Sequence, residues 1–172
     1  MNVHKLVLIA VLTASAIVIG IAESFIPGFF VPGIKLGLAN IVILITLYEL
    51  GILEATFINL TRVVIVALVR GSLFTYGFLM SLTGAILSLG IMIIFFLLIK
   101  KFSIVGVSVI GSIFHVTGQI IIATIFLESV YIFYYLPIIA ISAIITGVIV
   151  GLVARAVINT KVISKQREKY NF

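Results

Sequence analysis

The sequence predicts an all-α integral membrane protein, one transmembrane domain of six helices, and three observations carry that prediction. Of 172 residues, 63% are hydrophobic and 9% charged, against about 25% charged in a soluble domain. The mean hydropathy is +1.45, more apolar surface than a soluble core can hide. The apolar residues also fall in continuous runs long enough to cross roughly 30 Å of hydrocarbon as helices. They do not show the alternation over about ten residues that marks barrel strands. Six spans of about 20 residues use about 120, which leaves no room for an extramembrane domain.

The first span covers residues 6–23, entered through His4 and Lys5 and closed by Glu23 and Pro27. It has no small-residue cleavage site and is read as an uncleaved helix rather than a signal peptide. Residues 25–33 hold two prolines and two glycines and form a loop. The second span, 36–48, turns through Glu49-Leu50-Gly51 into the third, 53–69. Arg70-Gly71-Ser72 interrupts the chain before the fourth span at 75–99, which Lys100 and Lys101 end. The fifth covers 104–127 and the sixth 132–157, followed by a polar tail over 159–172.

Direction follows from the basic residues at span ends. With a cytoplasmic N-terminus, Lys5, Lys100, Lys101, Arg155, Lys161, Lys165, Arg167 and Lys169 all lie inside, and only Lys35 and Arg70 lie outside. Both termini are therefore expected in the cytoplasm, in a multi-pass protein of the cell membrane. Tyr48, Tyr76, Tyr131, Tyr134 and Tyr135 fall near span ends, where amphipathic rings favour the interface.

Absences remove whole classes of chemistry. The chain has no Cys, which excludes disulfides, thiolate metal sites and thiol nucleophiles. It has no Asp, and its histidines are His4 and His115 alone. No G-x-x-x-x-G-K-[ST] run is present, so ATP hydrolysis through a P-loop is excluded. The net charge of +6 sits at span ends rather than in a patch, which is membrane topology and not a nucleic-acid surface. Leu82-Thr83-Gly84-Ala85-Ile86 approaches a flavin-attachment pattern, but Ile86 stands where the modified threonine belongs, so no covalent flavin is expected.

The polar residues inside the spans are the candidates for function. A charge at the bilayer centre costs about 2.5–3.5 kcal/mol on insertion scales, and Arg62 lies well inside the third span. Asn59 shares its face. Ser108, Ser112, His115 and Gln119 recur on one stripe of the fifth span. Asn59, Ser108 and Ser112 are expected to hydrogen-bond between helices, at about 0.6 kcal/mol each. Glu23, Lys35, Asn40, Arg62, His115 and Gln119 all fall at mid-depth or in the outer half, and are the predicted ligand-binding residues of an outward-facing cavity. A structural pair between Arg62 and Glu23 is the alternative. Glu49 and Glu54 are read as a solvated turn. Small-residue seams run along the first span (Ala10, Ala14), the fourth (Gly77, Ser81, Gly84, Ser88) and the sixth (Ala143, Gly147, Gly151), and let helices approach closely.

The run Pro32-Gly33-Ile34-Lys35-Leu36-Gly37-Leu38-Ala39-Asn40-Ile41 resembles the Gx transporter family, also described as heptaprenyl diphosphate synthase component I. Glu23-Ser24-Phe25-Ile26-Pro27 and the stretch from Gly106-Val107-Ser108 through His115 to Gly118-Gln119 extend that resemblance over nearly the whole chain. The family is similar to the substrate-binding S-components of energy-coupling factor transporters, six-helix proteins that bind vitamins from outside. The resemblance implies a non-catalytic subunit for a vitamin, a flavin or an isoprenoid or quinone precursor. It also implies separate coupling and ATPase subunits, with Ala10 and Ala14 at the partner interface. Two alternatives come with it. One is a membrane subunit of flavin- or quinone-linked electron transfer, with a noncovalent cofactor. The other is an accessory component of polyprenyl diphosphate synthesis, although the chain has no aspartate for the D-D-x-x-D motif of such synthases.

Overall fold

The structure, a computed structural model, describes residues 3–25, 35, 37–98 and 102–170. Residues 26–34, Leu36 and the Lys100-Lys101 pair lie outside the described residues. The chain is all-helical: α1 (Val3–Ser24), α2 (Asn40–Glu49), α3 (Ile52–Val69), α4 (Tyr76–Leu98), α5 (Ile104–Phe126), α6 (Leu136–Asn159) and α7 (Val162–Tyr170). No strand occurs among the described residues. Helices α1, α3, α4, α5 and α6 are long and apolar enough to cross a membrane. Large apolar side chains point outward along them, including Val7 and Val18 on α1, Leu53 and Phe57 on α3, and Ile145 and Leu152 on α6. Water would penalise those faces; lipid does not.

The second expected span is corrected. Gly37 adopts φ +82°, a conformation open to glycine at little cost, and a turn delays the helix to Asn40. The Asn40 and Ile41 amides donate to the Gly37 and Leu38 carbonyls at 3.0 Å each. The resulting α2 has 10 residues, about 15 Å at 1.5 Å per residue, half of what a span needs. Seven of the ten are buried, from Asn40 and Val42 to Leu47, and the helix packs on α1, α3 and α6. Backbone may end at membrane depth where protein covers it or a cavity adjoins it. Here both conditions are met.

Close contacts set the directions of the other helices. Lys5 Nζ lies 2.5 Å from Glu54 Oε1, joining the start of α1 to the start of α3, while a Cβ on Gly20 would lie 3.1 Å from Val66. The two helices therefore run parallel. Glu54, expected in a solvated turn, is instead an ion-pair partner. Helices α4 and α5 are antiparallel: a Cβ on Gly118 would meet Gly84 Cα at 2.9 Å, and one on Gly111 would meet Met92 at 2.7 Å. Helix α6 packs antiparallel on α5, with Gly147 against Val109 and Ser112 and Gly151 against Val105 and Ser108. The small seams of α4 and α6 thus serve packing within the bundle.

The last third of the chain departs from expectation twice. The sixth helix begins at Leu136, later than the expected 132, because Val130–Tyr135 forms a 3-10 turn and Pro137 fits the first turn of α6. The tail expected to be simply polar contains α7, whose Ile163 joins the apolar cluster around Ala154 and Ile158.

Candidate functional site

The ends of α1 and α3, the start of α4 and the middle of α5 enclose a cavity of about 340 Å³, opposite the Lys5–Glu54 end of the bundle. Its position follows from α2. A full-length second helix would fill the middle of the bundle at both ends; α2 starts only at Asn40. Glu23, Lys35, Arg62 and His115, four of the six predicted ligand-binding residues, line the cavity. Asn40 and Gln119 stand behind that wall and hold its members in place.

Arg62 is fixed from two helices. Its Nη2 donates to Asn40 Oδ1 at 2.8 Å and to Asn59 Oδ1 at 3.0 Å, and its Nε donates to Asn59 Oδ1 at 3.2 Å. Asn59 Nδ2 donates to the Ala85 carbonyl at 2.9 Å, and Asn40 Nδ2 donates to Ser88 Oγ at 3.3 Å. Helices α2, α3 and α4 are thereby tied through one guanidinium. The remaining nitrogen, Nη1, has no protein partner among the described residues, and Arg62 borders the cavity. No salt bridge joins Arg62 to Glu23 among the described residues; their attraction acts at longer range.

Lys35 and Gly37, ahead of α2, are held by side chains from α1 and α5. Gln119 Oε1 accepts from the Lys35 amide at 2.7 Å, and Gln119 Nε2 donates to the Lys35 carbonyl at 3.2 Å. Glu23 Oε1 accepts from the Gly37 amide. These bonds satisfy backbone groups that water cannot reach, and they leave the Lys35 ammonium at the cavity wall. Burial lowers the Lys35 pKa, Glu23 raises it, and Arg70 and Arg62 lower it further. The three cations therefore feel one another.

His115 is buried, and its Nδ1 has no hydrogen-bond partner among the described residues. Two glycines make room for its ring: a Cβ on Gly37 would lie 3.3 Å from Cδ2, and one on Gly84 would lie 3.2 Å from Cε1. The polar stripe of α5 therefore divides. His115 faces the cavity and Gln119 the Lys35 backbone, whereas Ser108 and Ser112 sit under the α6 glycines. Their hydroxyls, expected to bond between helices, have no partner among the described residues; close packing against the α6 glycines takes that place.

Sequence reasoning missed part of the lining. Arg70, Ser72, Thr75, Tyr76 and Phe78 also border the cavity. Arg70 served only as a marker of topology, yet it caps the C-terminal end of α3, eight residues beyond Arg62. Val66 lies between them on the wall. The lining thus sets Lys35, Arg62 and Arg70 against the single carboxylate of Glu23, with Val63, Val66, Ala67 and Phe78 as apolar surface. No group of three His or Glu side chains suited to a metal ion occurs among the described residues.

Five helices fit to cross a membrane define the class, a multi-pass helical membrane protein, and this one has a cation-lined cavity at one end. The chain belongs to the family described as heptaprenyl diphosphate synthase component I, which matches residues 12–157. That match includes every residue of the cavity and leaves α7 outside. Neither curated proteins nor solved structures contain a match to the chain.

Proposed function

We propose that this chain is the substrate-binding membrane subunit of an energy-coupling-factor-type transporter, and that it receives a small anionic molecule in the cavity. The observation that carries the reading is the cavity itself, with three cations, one carboxylate and an apolar wall. Its volume is near the lower end of the roughly 300–1,000 Å³ common for ligand pockets. Burying an arginine at mid-bundle depth is expensive, and Arg62 borders the cavity, where a carboxylate or phosphate would find a charge-assisted donor. If the basic residues around Lys5 and α7 face the cytoplasm, the cavity opens outward, as uptake requires.

Energy would come from elsewhere, since the chain has no P-loop. Ala10 and Ala14 lie on the exposed face of α1, the helix with the smallest share of buried residues among the five. We assign that face to a coupling subunit with its ATPases. The chain is read as a binding subunit without catalytic residues, and neither a flavin nor a quinone is needed for this role.

The test is the molecule that accompanies the purified protein. Mass spectrometry of the wild-type extract should find an anionic small molecule, and Arg62→Gln and His115→Ala proteins that still fold should lose it. Glu49→Gln, at the opposite end, should retain it. Retention by both cavity variants would place the site elsewhere. Ala10→Leu with Ala14→Leu should abolish co-purification of a coupling subunit and leave ligand retention unchanged.

A further inference from the structure

The cavity holds a surplus of positive charge that its own residues do not cancel. Lys35, Arg62 and Arg70 supply three cations and Glu23 one anion, leaving a surplus of two positive charges around the cavity. Glu23 is also partly engaged, since one oxygen accepts the Gly37 amide. Among the described residues, Arg62 Nη1 has no hydrogen-bond partner, and neither the Lys35 ammonium nor the Arg70 guanidinium forms an ion pair. Arg70 caps the C-terminal end of α3, eight residues and about 12 Å along the axis from Arg62 at 1.5 Å per residue. Arg62 is buried and Arg70 exposed, and both border the cavity together with Lys35.

We propose that the ligand presents a dianionic phosphoryl group, and that Arg70 is the residue that selects it over a monocarboxylate. A carboxylate cancels half of the surplus; a phosphate monoester, at about −2 above its second pKa near 6, cancels all of it. The group sits where Lys35 and Arg62 Nη1 reach it, and Arg70 completes the charge. The apolar strip of Val63, Val66 and Phe78 receives a short hydrocarbon portion. A cavity of about 340 Å³ equals the volume of about eleven waters at 30 Å³ each, which suits a compact organophosphate. The same phosphoryl group could arrive on a free solute or on a phospholipid headgroup. This inference rests on the proposed binding role.

The experiment uses the full chain in phosphatidylcholine nanodiscs, titrated calorimetrically with ethyl phosphate and with propionate at pH 7.5. Ethyl phosphate should bind at least tenfold more tightly than propionate, the ratio expected when one further charge-assisted contact is made. Arg70→Gln, an exposed and fold-neutral change, should remove most of that ratio by weakening ethyl phosphate about tenfold with little effect on propionate. Arg70→Lys should restore part of it. Equal binding of the two probes, or a ratio indifferent to Arg70→Gln, overturns the inference. If neither probe binds but the wild type still carries an Arg62-dependent molecule from its membrane, the phosphoryl assignment falls and the binding role stands. If no Arg62-dependent molecule is found either, both fall. Nanodiscs with added phosphatidic acid separate the sources. Competition with ethyl phosphate shows a lipid headgroup, and unchanged affinity shows a free solute; both support phosphoryl recognition.

Discussion

The two ends of the bundle are built from the same apolar helices and solve opposite problems. At the Lys5–Glu54 end, α2 fills the interior with Val42, Ile43, Leu44, Ile45 and Leu47, packed against Ala16, Ala55, Ile58 and Met92. At the other end α2 has not yet begun, and polar side chains line an opening. The difference teaches where the polar groups of a small membrane protein can be concentrated. Asn40, Asn59, Arg62, His115 and Gln119 are all buried, and all gather where the short helix stops. Full packing at one end fixes the wall that the polar end needs.

The sharpest way to break this comparison is to ask which end faces outward, because the outcome is all or none. A cysteine introduced at Ser72, beside the cavity, should react with an impermeant maleimide added to intact cells, and one at Ser103 should not. The reverse pattern would turn the cavity toward the cytoplasm and remove the case for uptake. No native cysteine interferes.

Smaller effects separate packing from recognition. Leu44→Ala, at a fully buried position of the packed end, should cost about 3 kcal/mol of stability while the folded protein keeps its ligand affinity. A loss of affinity comparable to that of a cavity variant would mean that the two ends are not independent. Asn59→Leu should cost about 2 kcal/mol, because it leaves Arg62 and the Ala85 carbonyl short of partners, and ligand affinity should fall with it. Thermal unfolding in detergent together with a binding titration reads both quantities.

The Lys35 environment sets a pH dependence with a definite sign. Its pKa is lowered, chiefly by burial, and an anion is bound best by the ammonium form. Affinity should therefore fall as pH rises through a range below the ordinary lysine value of 10.5. In Lys35→Arg the cation persists, and the fall should disappear. A wild-type affinity flat through that range would remove Lys35 from the site. The smallest effect belongs to Lys5→Ala: a partly exposed ion pair contributes about 0.2–1 kcal/mol, so the melting temperature should move little and binding not at all.

Much of this was legible in the residues. Apolar runs show the long helices because the bilayer demands length and hydrophobicity together. Arg62 and His115 stood out because polar side chains are rare and costly at that depth. The length of α2 was not legible: residues 36–48 read as one uniform apolar run, and hydropathy does not register a glycine turn at Gly37. The role of Gln119 was hidden for another reason. Its partner is the Lys35 backbone, and backbone atoms leave no signature in a sequence. Arg70 was visible but carried a topological meaning that obscured its place at the cavity.

Helix α1 carries two features at different heights: the exposed Ala10 and Ala14 near its lower half, and Glu23 at its upper end, holding Gly37. A rigid helix transmits an axial shift along its whole length. Displacement of one turn, about 5.4 Å, would draw the Glu23 carboxylate away from the Gly37 amide and release one of the fastenings ahead of α2. A push on the exposed face of α1 would in that way be felt at the backbone beside the cavity.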